Sequence, residues 1–329
     1  MIEIKDLNKS YKIYQKQPGF WGSVRSIFHR PFEEKKALNN INLTVQPGEM
    51  IGLIGSNGAG KTTLIKVLSG IIHPTSGNVK VMGHTPWDRS YQYRQQLALI
   101  MGQKAQLWWD LPPMDSFLLL KEIYQIPDTQ FKENLDYLSE YLQIKDQLNI
   151  QVRRLSLGER MKVELIACLL HSPRIIYLDE PTIGLDIIAQ KAVRAFLKRY
   201  QKDFRPIIIL TSHYLQDIQE LCPRIVILNR GKIIFDDLRQ KLLSSVGKKR
   251  MIKLPVPSKG IKAIKDSSWF QNNQGKVELG QIHLQVCPSE ISSTLEVMGK
   301  SLDLSQLSIE EIDIGDQIQT LINQNHQPS

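Results

Sequence analysis

One eight-residue motif constrains the fold of this chain more than any other feature of its sequence. Residues 55–62 read GSNGAGKT, which matches the pattern G-x-x-x-x-G-K-[ST]. An apolar run at 50–55 precedes the motif and suits a buried parallel strand, and a stretch at 62–72 with helical periodicity follows it. We therefore predict a strand, a tight loop and a helix in succession.

This loop has the chemistry of a phosphate site. Its glycines let backbone N–H groups turn inward around a phosphate, and the start of the following helix adds a partial positive charge. Lys61 is placed to reach the β- and γ-phosphates of a nucleotide, and the Thr62 hydroxyl is placed to bind Mg²⁺. The alternative is a glycine-rich turn that matches by chance, which the flanking strand and helix disfavour.

Two adjacent carboxylates follow a second apolar run. Residues 174–180 read RIIYLDE, so a buried strand is expected to end at Asp179 and Glu180. Ligands bind at the carboxyl ends of strands in open parallel sheets. We expect Asp179 to serve the Mg²⁺ site and Glu180, on the other face of the pleat, to polarise an attacking water. The alternative is that both carboxylates merely cap a strand edge in solvent.

The order of the predicted elements indicates an α/β fold with an appended domain. Helices alternate with strands from 155 to 230, which implies a parallel sheet. Strand signals are few between 86 and 150, so a helical subdomain is expected there. Residues 238–329 mix alternating strands with helices, the last of them near 313–324, and this is typical of a separate small α+β domain.

The chain has a net charge of +9 that is unevenly distributed. Short strands are expected near 2–7 and 40–45, and residues 12–36 between them look like a basic insertion with aromatic residues at near-helical spacing. A basic excess suggests an anionic partner, which could be lipid headgroups, nucleic acid or a nucleotide. Charge alone does not choose among them.

No membrane span, leader or disulfide framework is expected. The longest apolar runs fall far below the ~20 residues that a spanning helix needs, and the first residues contain no apolar stretch of signal-peptide length. The spacing of Cys168, Cys222 and Cys287 fits neither a zinc site nor paired disulfides. These features predict a cytoplasmic protein.

A third motif adds a resemblance to a known family. Residues 155–159 read LSLGE, which closely resembles the signature loop, usually LSGGQ, of the ATP-binding-cassette (ABC) ATPases. Other positions match the family's A-loop, Q-loop, D-loop and switch histidine: Tyr11, Gln103, Gly184-Leu185-Asp186 and His213. The resemblance covers residues 1–235, and the combination is far more specific than any single motif.

The resemblance implies a fold, two cofactors and a dimer. The fold would be α/β, a P-loop NTPase of the ABC ATPase type over 1–237, with a helical signature subdomain at about 86–170 and a small C-terminal α+β accessory domain at 238–329. The cofactors would be ATP and Mg²⁺. The signature loop of one subunit grips the γ-phosphate held by the other, so two chains would form a homodimer around two MgATP.

The resemblance also implies roles for individual residues. Catalysis would involve Lys61, Gln103, Glu180 and His213. Mg²⁺ would be held by Thr62, Gln103 and Asp179. The nucleotide would contact Tyr11, Gly55, Ser56, Asn57, Gly58, Ala59, Gly60, Lys61, Thr62, Thr63, Ser156, Gly158 and Asp186.

Several of these roles have structural alternatives. A lone histidine such as His213 is more often structural than catalytic. Gln106 lies three residues after Gln103, and Tyr14 lies close to Tyr11, so each neighbour competes for the role.

The signature stretch has an alternative of its own and two departures from the family pattern. Standing alone, Ser156 would be an ordinary N-cap of a helix. Glu159 replaces the usual Gln and Leu157 replaces a Gly, and both variants resemble the exporter branch. The core face of the helix is expected to carry Met161, Leu165, Ile166 and Leu169.

Several features favour a transport ATPase. The chain holds one ATPase unit, and its helical subdomain contains neither a long coiled coil nor zinc-ligand cysteines. The stretch LWWDLPP at 107–113 lies where the family docks its membrane partner, although Trp108 and Trp109 could instead pack in the core. Together with the signature and the C-terminal domain it resembles the exporter branch, in which the permease is a separate membrane protein.

The implied function is an ATPase that drives this permease from the cytoplasmic face of the membrane. The rival is a soluble ABC ATPase that remodels nucleic acid or ribosomes, which a charge of only +9 and the lack of an interleaved aromatic–basic platform disfavour. A third alternative, ATP binding without hydrolysis, conflicts with the intact catalytic residues. The insertion at 12–36 could lie near lipid or be a solvated loop, and the C-terminal domain could support dimerisation, regulation or substrate recognition.

Overall fold

A computed structural model describes residues 1–14, 32–101, 106–212, 214–245, 250–255, 264, 267–273, 275–278, 280–300 and 302–311. Gln103, His213, the middle of the basic insertion and the helix expected near 313–324 lie outside these residues. The chain divides into two compact units, Met1–Asp237 and Leu238–Ser329.

The main sheet of the first unit has six strands in the order β5-β6-β7-β3-β8-β9. Its strands are β3 (Met50–Ile54), β5 (Leu97–Met101), β6 (Ile175–Asp179), β7 (Ile207–Thr211), β8 (Arg224–Asn229) and β9 (Lys232–Leu238). The pairs β5–β6, β6–β7, β7–β3 and β3–β8 are parallel. β3, β6 and β7 are buried at every residue, as continuous apolar runs predict for central parallel strands.

A three-stranded antiparallel sheet lies beside it in the order β2-β1-β4, made of β1 (Ile2–Tyr14), β2 (Phe32–Val45) and β4 (Ser76–Val81). Its first two strands are longer than predicted, since they include residues 12–14 and 32–36 of the expected insertion. Lys12 stands opposite Glu34 in this register. Opposite charges at facing positions stabilise paired strands, so this pair favours the strand extension found here.

Seven α-helices are described in the first unit. They are α1 (Lys61–Leu68), α2 (Tyr91–Gln95), α3 (Pro113–Tyr124), α4 (Asp128–Tyr141), α5 (Leu157–Leu169), α6 (Ile187–Phe204) and α7 (Leu215–Leu221). The helical subdomain was predicted to begin near 86, but β5 is a strand of the main sheet, so the prediction was wrong there. This strand is too short and too evenly apolar for periodicity to separate it from a helix.

The signature helix α5 buries the face that the sequence predicted. Met161, Leu165, Ile166 and Leu169 are all buried, and this confirms the expected core face. α1 also buries four aliphatic side chains, which belong to the same apolar cluster as side chains of β1, β2 and β3. The phosphate loop between β3 and α1 is therefore anchored at both ends by buried apolar residues.

The second unit has its own four-stranded antiparallel sheet in the order β11-β12-β10-β13. It comprises β10 (Arg250–Pro255), β11 (Lys276–Glu278), β12 (Gln281–Val286) and β13 (Ser308–Glu311), with helices α8 (Arg239–Ser245), α9 (Ser268–Asn272) and α10 (Ile291–Gly299). Alternate residues of β12 are buried in a separate apolar core. Among the described residues of the chain, no helix has the length and apolar character needed to cross a membrane.

Candidate functional site

The loop between β3 and α1 needs glycine because other backbone segments approach it closely. A Cβ on Gly55 would lie 2.3 Å from the carbonyl oxygen of Leu228, and one on Gly60 would lie 2.6 Å from that of Ala37. Gly60 also has φ of 111°, a conformation that L side chains rarely adopt. It begins α1 without a side-chain cap, so the first turn presents backbone N–H groups of the kind that bind anions.

Lys61 folds back over this loop. Its Nζ donates to the carbonyl oxygens of Gly55 at 2.6 Å and Ser56 at 3.2 Å, and the residue is buried. Burial lowers the pKa of Lys61, while the carboxylates of Glu180 and Asp179 oppose that shift. The loop therefore holds a buried cation next to the two carboxylates that the sequence singled out.

Thr62 and Asp179 meet at the carboxyl end of β6. The Thr62 hydroxyl donates to Asp179 Oδ2 at 3.0 Å, and the Thr211 hydroxyl donates to Asp179 Oδ1 at 2.6 Å. Mg²⁺ prefers hard oxygen ligands, usually one or two protein groups together with substrate phosphates and water. The hydroxyl and carboxylate oxygens of this pair fit that requirement.

Glu180 lies beyond the end of β6, where the backbone turns. Its φ of 59° is left-handed, and its N–H donates to the carbonyl and the hydroxyl oxygens of Thr211, each at 3.1 Å. We expected the pleat of the strand to place Glu180 on the opposite face from Asp179. This expectation was wrong, because the strand ends at Asp179 and the turn after it directs Glu180.

A buried network that the sequence analysis missed supports this turn. Asp217 of α7 accepts hydrogen bonds from the hydroxyls of Thr182 at 2.5 Å and Ser212 at 2.6 Å, and from Arg194 Nη1 at 2.9 Å. Thr182 follows Glu180 by two residues, and Ser212 follows the end of β7. The network thus joins the segments after two neighbouring strands. The sequence shows Asp217 only as an acidic residue in the stretch TSHYLQD. Hydrophobic periodicity does not indicate that such a residue is buried.

Ser156 begins α5 in a capping box. Its hydroxyl accepts from the Glu159 N–H at 3.2 Å, and its own N–H donates to Glu159 Oε2 at 2.9 Å. These bonds hold the pKa of the Glu159 carboxyl below its usual value. The glutamate that replaces the family's Gln therefore has a structural purpose here.

Gly158 and Asp186 lie where α5 meets the start of α6. A Cβ on Gly158 would be 3.0 Å from the Ala189 Cβ. Asp186 caps α6, since its Oδ1 accepts from the Ala189 N–H at 2.8 Å. The expected nucleotide contacts of Gly158 and Asp186 remain predictions.

Tyr11 lies on β1 opposite Lys35, and it is partly exposed. Lys9 Nζ stands 5.1 Å from the centre of its ring. The described contacts of Tyr11 involve these two lysines and not the phosphate loop, so its predicted role in stacking on adenine remains a prediction.

Residues 106–111, named the aromatic loop below, follow β5. The Gln106 side chain donates to the Leu99 carbonyl at 2.5 Å, so the competitor of Gln103 has a structural role. Leu107 is buried, whereas Trp108 is 53% exposed and Trp109 is 48% exposed. The alternative in which both tryptophans pack in the core is therefore wrong.

Comparisons with known proteins identify the family of this chain. A family model described as ABC transporter matches residues 38–183. Daunorubicin resistance ATP-binding protein DrrA3 of Streptomyces coeruleorubidus is 31% identical over 220 residues, which make up 67% of this chain and 69% of that protein. The chain belongs to the ABC transporter ATP-binding proteins. ABC transporter ATP-binding protein NatA of Bacillus subtilis (strain 168) is 28% identical over 220 residues, covering 66% of this chain and 89% of NatA.

A solved structure of the ATP binding subunit of an ABC transporter has the same fold. It superposes with a TM-score of 0.62 at 25% identity, covering 75% of this chain and 93% of that one. The predicted fold class, a P-loop NTPase of the ABC ATPase type, is confirmed. This ABC ATP-binding protein is an ATP hydrolase whose cofactors are ATP and Mg²⁺, as the sequence indicated.

Proposed function

We propose that this chain is the ATPase subunit of an exporter, that it closes as a homodimer around two MgATP, and that it drives a separate membrane permease. The observation that carries the ATPase site is the convergence of Lys61, Thr62, Asp179 and Glu180 at the carboxyl ends of β3 and β6. A buried cation, a metal-binding pair and a carboxylate beyond them are the parts that phosphoryl transfer to water requires.

Each residue of this group has a distinct task in hydrolysis. Lys61 and the backbone N–H groups at the start of α1 bind the β- and γ-phosphate oxygens. Thr62 and Asp179 would hold Mg²⁺, which would supply positive charge to offset that of the phosphate oxygens. Glu180 orients the water whose oxygen attacks the γ-phosphorus, while the bond from that phosphorus to the bridging oxygen breaks and ADP leaves. His213 and Gln103 are proposed to complete the site from the segments after β7 and β5.

The start of α5 supports a site shared between two chains. Ser156 is exposed at a helix N-terminus, where an anion from outside the chain can bind. Beside it lies an apolar surface: Leu157 is 41% exposed, Ile187 69% and Ile188 82%. Exposed aliphatic side chains that adjoin an anion site suit contact with a second copy that presents its own γ-phosphate.

The aromatic loop and α3 support docking of a membrane subunit. Trp108 and Trp109 are exposed, and so are three aliphatic side chains of α3, Leu118, Leu119 and Ile123. Exposed tryptophans are enriched where proteins bind one another. A peripheral position on the cytoplasmic face of the membrane follows from such docking.

The proposed direction of transport, which is export, is supported by the names of relatives. One relative is named for daunorubicin resistance, another for linearmycin resistance and a third for bacitracin transport, and these names support export. We assign the second unit, Leu238–Ser329, an accessory role in the assembled exporter. The rival function, remodelling of nucleic acid or ribosomes, has only the modest charge of +9 in its favour.

The oligomeric state of the Glu180→Gln variant, measured with and without MgATP, tests the shared site. This substitution keeps the shape of the side chain but removes the carboxylate that orients water, so bound ATP persists and the closed dimer accumulates. We expect a dimer with MgATP and a monomer without it, and the variant Lys61→Ala/Glu180→Gln should stay monomeric in both. A Glu180→Gln chain that stays monomeric at saturating MgATP would contradict the proposal.

A further inference from the structure

Glu164 of α5 is a buried carboxylate with no task in hydrolysis. It accepts hydrogen bonds from the Gln106 N–H, at 3.0 and 3.2 Å to its two oxygens, and from the Leu107 N–H at 3.3 Å. The residue is 6% exposed, and burial raises the pKa of its carboxyl against the effect of these bonds. A carboxylate can be buried when its oxygens are hydrogen-bonded. Through these bonds, Glu164 holds the first two residues of the aromatic loop.

Other contacts tie the rest of this loop to the same helix and to the residues before it. The Arg160 guanidinium lies 5.1 Å from the centre of the Trp109 ring, a cation–π distance. The Arg153 N–H donates to the Trp109 carbonyl at 3.0 Å, and its guanidinium lies 3.0 Å from Asp110 Oδ1. Trp109 is thus held through both its ring and its backbone carbonyl.

Arg160 and Glu164 stand one and two turns after Ser156 along α5. Eight residues of α-helix span about 12 Å. The Arg160 N–H donates to the Ser156 carbonyl at 2.8 Å, so the first turn is intact from the cap onward. The aromatic loop and the signature serine are therefore fixed to the same helix.

We propose that Glu164 and Arg160 are positioning residues that lock the aromatic loop to the signature helix, so that the loop and Ser156 move as one body. The proposal rests on the proposed function, because it links the surface assigned to the permease with the serine assigned to the partner's γ-phosphate. Coupling between two binding sites is reciprocal. Whatever orders Ser156 must then also order the aromatic loop.

Amide hydrogen exchange in the Glu180→Gln chain tests this link without the permease. The oligomeric state of the same samples is measured in parallel. When MgATP closes the dimer, we expect exchange of the amides in residues 106–111 to slow at least about ten-fold, because the clamp ties them to the ordered helix. In Glu164→Ala/Glu180→Gln the slowing should be lost, since alanine removes the oxygens that accept from the Gln106 and Leu107 N–H groups. The matched control is Glu133→Ala/Glu180→Gln, which makes the same change on the exposed face of α4 and should keep the slowing.

A second variant guards against misfolding. Arg160→Lys/Glu180→Gln keeps the charge but loses the planar stack, and it should lose part of the slowing at Trp109 even if the Glu164 variant does not fold. Equal slowing with and without Glu164, or no slowing in a chain that dimerises, would overturn the inference. A chain that stays monomeric in MgATP would contradict the proposed function itself, and the inference would fall with it.

Discussion

The Thr62 hydroxyl lies 3.0 Å from Asp179 Oδ2, although 117 residues separate them in the sequence. Thr62 belongs to the first turn of α1, and Asp179 is the last residue of β6. The contact places a hydroxyl and a carboxylate oxygen at one edge of the sheet, beside the buried amine of Lys61.

Replacement of Asp179 by asparagine should abolish hydrolysis without unfolding the chain. An amide keeps the hydrogen bond from Thr62 but supplies no negative charge to Mg²⁺, so we expect the rate to fall by about 100-fold or more. Chelation of Mg²⁺ should reduce the wild type to a similar rate. Phosphate release at saturating ATP measures both effects, with the exposed Asp146→Asn as the matched control. Hydrolysis by Asp179→Asn within about three-fold of the wild type would contradict the assignment.

The ion pair between Arg194 and Asp217 should matter more for stability than a surface pair on the same helix. Both side chains are almost fully buried, and removal of one partner leaves an uncompensated buried charge. We expect Arg194→Ala to lower the free energy of unfolding by about 3–5 kcal/mol in urea titrations. The control is Arg199→Ala, which removes an exposed pair with Asp203 and should have only a small effect. Similar losses in the two variants would show that burial of the pair is not what stabilises α6.

The parts of this molecule that could be predicted from the sequence are those that local rules determine. Continuous apolar runs identified β3, β6 and β7, and the glycine pattern identified the loop before Lys61. The edge strand β5 and the charged ends of β1 and β2 were harder to predict, because they owe their strand structure to pairing with neighbouring strands. The network around Asp217 could not be predicted, since it joins residues from separate segments. The left-handed turn at Glu180 has the same origin, because it depends on Thr211 of the neighbouring strand.

Ile188 should contribute to the dimer contact. It is 82% exposed beside the start of α5, where a charge would have to be desolvated on contact with a second copy. In the Glu180→Gln chain with MgATP, we expect Ile188→Asp to weaken dimerisation by about ten-fold or more, measured by sedimentation. Leu119→Asp, which places the same charge on the exposed face of α3, should leave the dimer intact. Dimerisation equal to that of the parent in both variants would exclude Ile188 from the interface.

His171 should make the first unit less stable in acid. Its ring stacks on Tyr124 at 3.9 Å and its Nε2–H donates to the Leu97 carbonyl at 3.1 Å, while burial lowers the pKa of His171 to about 4. The unfolded chain binds this proton near the ordinary pKa of about 6.5, so stability is complete above that pH and is lost as pH falls toward about 4.

We expect this residue to contribute a loss of about 2 kcal/mol between about pH 7.5 and pH 5. Urea unfolding of the wild type and of His171→Gln at both pH values gives the comparison. Glutamine can still donate to Leu97 but does not titrate, so its loss over the same interval should be smaller. Equal losses in the two proteins would mean that His171 is already protonated in the folded chain.

Affinity capture tests whether this ATPase drives a membrane permease. The Glu180→Gln chain is purified with MgATP from detergent-solubilised cells, and the bound proteins are identified by mass spectrometry. We expect a polytopic membrane protein in stoichiometric amount, and we expect its loss when Trp108 and Trp109 are both replaced by alanine in a chain that still dimerises. Recovery of ribosomes or nucleic acid without any membrane protein would contradict the claim and favour a remodelling ATPase.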